Sequence, residues 1–400
     1  MKTTEIVDGI YWVGAVDWDL RDFHGYATEK GSSYNAYLVK ADKTVLFDTV
    51  KADFQDDLIA NIKDVCELGS IDYIVVNHAE MDHSGALPGI IELAKPEKVI
   101  CTSECEKALR AHFPNVKWDL TTVKDGDSVN VGGRTIRFVG TPMLHWPESM
   151  ASSIPEDNVL ISNDIFGQHW ATSERFDDEV DQGELFLQAA KYYANIFLPT
   201  SGAARKLLKK LDQQEIHPDM LLVDHGLIWR NRVPDILDKY RNWSDGVSDP
   251  TALIIYDTMW GSTSKMARAM GRGLAGDGVS VKLFDLRYNH RSDVMTEVLT
   301  ARALILGSPV LNKTILPKMA DMLSYMKALK PFNKIGSAFG SYGWSDTSTK
   351  QLIQALEDLK IEVVDSGISS HYVPDTNVLD ECEKFGERMK AEILKRGFEG

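Results

Sequence analysis

The stretch Val76-Asn77-His78-Ala79-Glu80-Met81-Asp82-His83-Ser84-Gly85 places two imidazoles and two carboxylates within six residues, directly after a mostly apolar run at 71–76. Such a segment reads as a metal site delivered by the C-terminal end of a buried strand. His78, Glu80 and Asp82 stand at i, i+2 and i+4, which an extended backbone puts on one side. His83 is adjacent and free to turn to a second metal. Thiolate sets and three-histidine sets are common for zinc, whereas mixed imidazole and carboxylate ligation suits iron or manganese. A two-metal centre takes about six protein ligands, so more are expected downstream.

Three further candidates follow predicted strands. His145 lies in Pro142-Met143-Leu144-His145-Trp146-Pro147, Asp164 in Leu160-Ile161-Ser162-Asn163-Asp164-Ile165-Phe166-Gly167, and His225 in Asp224-His225-Gly226. Taken singly, each has a plain alternative. A lone His is often a structural hydrogen-bonding residue. Asp164 also suits a turn cap. Asp224 either hydrogen-bonds a ligand or sits in a surface turn. It is the combined order, four ligands and then His, Asp and His at strand ends, that points to one centre.

The remaining pattern divides the 400 residues in two. Residues 33–40 and 44–50 read as a hairpin, 71–76 and 98–101 as strands, and 128–139 as another hairpin turning at Gly132-Gly133. Helical spacing marks 53–66, 87–94, 103–113, 183–197 and 203–211. Mixed strands and helices of this kind suit a sheet sandwich flanked by helices. Residues 243–250 read as a linker. Beyond it, apolar strands at 252–256, 279–284, 303–306, 335–339 and 361–364 alternate with helices, the pattern of a doubly wound parallel sheet.

A net charge of −15 argues against a nucleic-acid binder. No apolar run is long enough for a membrane span. The four cysteines form no C-x-x-C pair and suit a reducing compartment. The N-terminus lacks a signal-peptide pattern. A cytoplasmic protein is therefore expected.

In the second half, Thr258-Met259-Trp260-Gly261-Ser262-Thr263 opens a predicted helix. Its hydroxyls and helix-terminal amides suit a phosphate, or simply an N-cap. The loop is neither G-x-x-x-x-G-K-[ST] nor G-x-G-x-x-G, which disfavours triphosphate hydrolysis and dinucleotides. Ser308-Pro309-Val310-Leu311-Asn312 and Ser341-Tyr342-Gly343-Trp344-Ser345 follow the third and fourth strands, at the edge where such sheets bind ligands.

The metal-ligand order resembles the metallo-β-lactamase-like fold, whose hydrolases carry H-x-H-x-D-H and bind zinc. Here Glu80 stands where those enzymes have their second His. H-x-E-x-D-H resembles the flavodiiron proteins (A-type flavoproteins), and the Thr258 loop is similar to the T-x-x-G-x-T phosphate loop of flavodoxins. The resemblance covers nearly the whole chain. It implies a metallo-β-lactamase-like αββα di-iron domain at 1–246 and a flavodoxin-like FMN-binding domain at 251–400, in the minimal two-domain form. His78, Glu80 and His145 would bind one iron, Asp82, His83 and His225 the other, and Asp164 both. The loops at 258–263, 308–312 and 341–345 would hold FMN, with Trp260 and Trp344 flanking its ring. His24 and Tyr26 resemble residues near the substrate pocket of the family, or else form a polar turn. The implied activity is a terminal reductase that takes electrons from rubredoxin or a similar donor and reduces O₂ to water, NO to N₂O, or both. The implied assembly is a head-to-tail homodimer or a dimer of dimers. A zinc hydrolase with an accessory flavodoxin-like domain is the rival reading, and a pure electron carrier a second one.

Overall fold

Along residues 37–40 and 44–47 both faces of the backbone are apolar. Tyr37, Val39, Val45 and Phe47 fall in one core, Leu38 and Leu46 in another. Strands of this kind must be covered on both sides, and the computed structural model, which describes residues 2–396, shows how. Of the expected domains, residue 1 and residues 397–400 lie outside the described residues. The chain forms two compact units: Met1–His24, Thr28–Tyr192 and Gly202–Arg241 make the first, and Gly25–Ala27, Tyr193–Ser201 and Asn242–Gly400 the second.

In the first unit, a seven-stranded sheet runs in the order Thr4–Val7, Ile10–Trp12, Tyr37–Lys40, Thr44–Phe47, Ile71–Val75, Lys98–Thr102, Leu120–Val123. A five-stranded sheet runs from Ser128–Asn130 through Thr135–Gly140, Met150–Ile154 and Val159–Asn163 to Met220–Val223. Phe47, Val75 and Ile100 of the first sheet share a core with Phe138, Ile154, Ile161 and Leu222 of the second. On the outer face of the first sheet, Leu46, Ile74 and Val99 pack with Leu58, Ile62, Leu87, Ile90 and Leu109 from three helices. This is an αββα sandwich. Strands Thr44–Phe47, Ile71–Val75 and Lys98–Thr102 are parallel, as are Val159–Asn163 and Met220–Val223. His78, Glu80, Asp82, His83, Asp164 and His225 follow the C-terminal ends of such strands, whereas His145 follows Thr135–Gly140, which is antiparallel to its neighbours.

The structure corrects several local expectations. The strand ends at Val75, and Asp82 and His83 sit on a short helix, Met81–Ser84, so the ligand cluster is not extended. The single strand expected at 33–40 is two, Ser32–Tyr34 and Tyr37–Lys40. Asn35 separates them: its side chain accepts from Trp12 Nε1 and donates to the carbonyls of Val223 and Gly226. The helix expected at 183–197 is α-helical only over Gln182–Tyr192 and gives way to a π-helical turn, Tyr193–Phe197, ahead of Pro199, which has no amide to continue the ladder. The stretch expected as a linker begins inside a helix, Val233–Asp245, whose Ile236, Tyr240 and Trp243 are buried. The next strand, Asp249–Tyr256, starts four residues later.

The second unit is a parallel sheet in the order Ser280–Asp285, Asp249–Tyr256, Ala301–Pro309, Ile335–Tyr342, Glu362–Val363. Numbered along the chain, this is the 2-1-3-4-5 flavodoxin-like order, whose ligand crevice lies outside the strand ends at the switch point. The fifth strand, expected at 361–364, is only Glu362–Val363, and Ile368–His371 pairs with the same neighbour. Its Ser369-Ser370-His371 is too polar to register as an apolar run. No helix among the described residues is long and apolar enough to cross a membrane.

Candidate metal centre

Strands of both sheets contribute to one cluster at this edge. Asp48, just past Thr44–Phe47, accepts from the backbone amide and the side-chain amide of Asn77, which fixes the turn into His78. Beyond that turn, His78, Glu80, His145 and Asp164 form one group, and Asp82, His83 and His225 a second, each with donor atoms within 4.8 Å of one another. Asp164 stands between the groups. Its Oδ2 lies 3.3 Å from His78 Nε2 and 3.2 Å from His145 Nε2. Its Oδ1 lies 3.2 Å from His83 Nε2 and 3.3 Å from His225 Nε2. Glu80 Oε2 is 3.2 Å from His78 Nε2 and 3.1 Å from His145 Nε2. Asp82 reaches His83 Nε2 at 3.5 Å and His225 Nε2 at 3.3 Å.

These donor atoms converge more than they pair. Both oxygens of Asp82, Oδ2 of Asp164 and both ring nitrogens of His83 are buried without a hydrogen bond. Buried polar atoms left so are costly unless something else satisfies them. Burial opposes ionisation of Glu80, Asp82 and Asp164, yet the surrounding imidazoles outweigh it and hold all three below the usual carboxylate range. Burial likewise opposes charge on the imidazoles, but the carboxylates raise His78, His145 and His225, and lift His83 to about 9. The centre therefore draws positive charge. Without a metal it collects protons, and a cation bound by the same Nε2 and carboxylate atoms releases them. The donor set fits two hard, redox-capable cations.

Several side chains support the ring of ligands without standing out in the sequence. His78 Nδ1 meets Glu148 Oε1 at 2.8 Å, and His225 Nδ1 meets the Ser33 carbonyl at 2.7 Å. Tyr192 donates its hydroxyl to Asp164 Oδ1 at 3.1 Å. His169, fully buried, has Nδ1 2.7 Å from Ser32 Oγ, and burial pushes its pKa well down. His169 and Phe23 lie 5.0 Å apart between ring centroids and wall the His225 side. His24 lies at the mouth: its side chain is 76% exposed, with Nε2 3.4 Å from Glu80 Oε1. Tyr26 is buried and belongs to the second compact unit.

The second unit holds a crevice of about 430 Å³ at the topological switch point. Thr258, Met259, Trp260 and Ser262 line one side, Pro309, Val310, Leu311 and Asn312 another, and Ser341, Tyr342, Gly343 and Trp344 a third. Tyr372 and Val373, which the sequence reading missed, complete it. Gly261, Thr263, Ser308 and Ser345 do not line it. Gly261 has φ +86 and turns the chain into helix Ser262–Leu274, while its amide donates to Thr258 Oγ1. Thr263 is buried against Ser341 Oγ, and Ser308 Oγ accepts from the Leu316 amide. The lining carries hydroxyls at the helix end and no Lys or Arg. Trp260 and Trp344 are 94% and 79% exposed. A phosphate held by neutral donors and a flat aromatic ring between indoles suit this shape.

Residues 33–226 match the model of the ODP family beta lactamases, and residues 254–386 that of the flavodoxins. The chain is 45% identical to a nitric oxide reductase of Moorella thermoacetica, over 97% of this chain and 98% of that one. It is 42% identical to a rubredoxin-oxygen oxidoreductase of Megalodesulfovibrio gigas, over 94% of each. The crystal structure of the flavodiiron protein from Giardia intestinalis superposes with a TM-score of 0.96 at 32% identity, covering 99% of this chain and 97% of that one. Full-length likeness of this kind, on a sandwich that gathers two carboxylate-bridged donor sets and a flavodoxin-like sheet, assigns the chain to the flavodiiron protein family.

Proposed function

We propose that the chain is a terminal reductase that passes electrons from rubredoxin, or a similar small redox protein, through FMN to a di-iron centre, where O₂ is reduced to water, NO to N₂O, or both. Relatives named for each of the two reactions support the reading. The observation that carries it is Asp164 standing between two donor sets, with Glu80 completing the first. In this reading His78, Glu80 and His145 would hold one iron, Asp82, His83 and His225 the other, and Asp164, between the two sets, would serve both. When bound, FMN would supply one- and two-electron redox chemistry and the two irons would supply redox capacity beside the substrate.

The chain's own residues orient and protonate. Glu148 and the Ser33 carbonyl hold Nδ1 of His78 and His225, so that both Nε2 atoms face inward. Tyr192 steadies the bridging carboxylate. His24 is proposed to pass a proton between solvent and substrate, a role supported by its exposure and its closeness to Glu80. Tyr26 is proposed as a second hydrogen-bond donor to substrate. In the crevice, Thr258 and Ser262 would take the FMN phosphate, with Gly261 shaping the turn and Thr263 packed behind it, residues 309–312 and 341–344 would take the ring, and Trp260 and Trp344 its faces. We further propose domains at 1–246 and 251–400, a cytoplasmic location, and a head-to-tail homodimer or dimer of dimers in which the flavin of one chain serves the irons of its partner. Sedimentation of the active enzyme as a strict monomer would refute that assembly.

Metal and flavin analysis with separate O₂ and NO titrations of the anaerobically reduced protein tests the function. Two irons, one FMN and turnover with at least one gas are expected. Two zincs and no turnover would favour a hydrolase.

A further inference from the structure

The histidines of the two donor sets are backed unequally. His78 Nδ1 lies 2.8 Å from Glu148 Oε1, and that oxygen also accepts from the Ala79 amide at 3.2 Å. Glu148 is 3% exposed, and its own carbonyl accepts from Thr102 Oγ1 at 2.9 Å. The carboxylate is thus fixed behind His78. In the other set, His225 Nδ1 faces a neutral acceptor, the Ser33 carbonyl, at 2.7 Å. His83 Nδ1 makes no hydrogen bond, and Asp224 Oδ2 beside it is 3.7 Å away, beyond hydrogen-bond reach.

An imidazole that gives its N–H to a carboxylate is locked in tautomer and orientation, and is a stronger donor through its other nitrogen. Among these backing contacts, only the His78–Glu80–His145 set has a carboxylate at hydrogen-bond distance. We infer that Glu148 is a positioning residue that makes the two half-sites unequal: the ion held by His78, Glu80 and His145 binds more tightly, fills first and leaves last. The inference rests on the two-metal reading of the centre. It implies that under scarce iron the chain passes through a singly loaded form with the Asp82–His83–His225 set open.

The test is anaerobic release of iron from the flavin-loaded, ferrous protein to an excess of a ferrous chelator. Wild type should release one ion quickly and one at least about tenfold more slowly. Glu148→Gln preserves the shape of the side chain and removes its charge. It should speed the slow phase by about 10–100-fold, the usual effect of losing such a support, and leave the fast phase unchanged. Glu148→Asp, which keeps the carboxylate but draws it back, should fall between, and it carries the test if Glu148→Gln does not fold. Asp224→Asn should leave the slow phase unchanged. A single phase in wild type overturns the inference, as does equal acceleration of both phases by Glu148→Gln, the mark of a merely structural role. A protein that binds no iron contradicts the two-metal reading itself, which separates the two failures.

Discussion

The metal centre and the flavin crevice are built on opposite terms. His78, Asp82, His83, Asp164 and His225 are all buried, and several of their polar atoms have no hydrogen bond. The crevice instead shows Trp260 and Trp344 to solvent, above the buried Thr258 and Ser341 hydroxyls. A buried donor set is costly to leave unsatisfied, so the sandwich pays in stability for a centre that is ready before the ion arrives. An open crevice costs little when empty and gains its order from the ligand. Metal should therefore be coupled to the folding of its unit, and flavin mainly to affinity.

The largest break in this contrast is expected at Asp164. Asp164→Ala removes the one carboxylate shared by both donor sets. Turnover should fall by more than the ~100-fold that outer supports reach, with iron lost and FMN retained; elemental analysis and flavin absorbance read both. Chelation comes next. Stripping the metal should lower the thermal midpoint of the sandwich unit by about 10 °C, given a few degrees per kcal/mol for a unit of this size. Removing flavin should shift it much less, and equal shifts in scanning calorimetry would erase the distinction. Trp344→Ala then tests the crevice alone. Losing one stacking face should weaken FMN about tenfold in fluorescence titration, with iron content unchanged.

The smallest effect concerns Lys334, a buried cation in the second unit. Its amine donates to the Leu299 carbonyl at 3.0 Å. Burial, with Arg302 nearby, pushes it from 10.5 down to about 7. Between these values the unfolded chain holds a proton that the folded chain has released, so stability rises with pH across the window and the penalty is full below it. Lys334→Met should raise the thermal midpoint by about a few degrees at pH 6 to 7. The gain should fade towards pH 10, as melting curves across the range would show.

The two regions also differ in how far they can be read from residues. Ligand-type side chains crowd one short segment and recur at strand ends, because a sheet edge is where parallel strands deliver side chains to a common point. The order of the strands in the second half follows from regular alternation of apolar runs and helices. What stays hidden depends on long-range contacts. Glu148 and Tyr192 are ordinary residues until the fold brings them against His78 and Asp164. Asn35 breaks a strand for partners nearly two hundred residues away. Asp82 reads as extended by spacing, but the turn held by Asp48 redirects the backbone into a helix. Tyr372 and Val373 reach the crevice from just beyond the end of a strand too polar to notice.

The central claim is that electrons stored in the crevice are spent at the buried centre. It is tested most directly by reducing the holoprotein without oxygen, mixing it rapidly with O₂ or NO, and following flavin re-oxidation in wild type and in Asp164→Ala with FMN bound. Fast re-oxidation in wild type by at least one gas, and a fall of more than ~100-fold in the variant, is the predicted result. Equal rates in the two proteins would mean that the flavin reacts on its own, and would contradict the account.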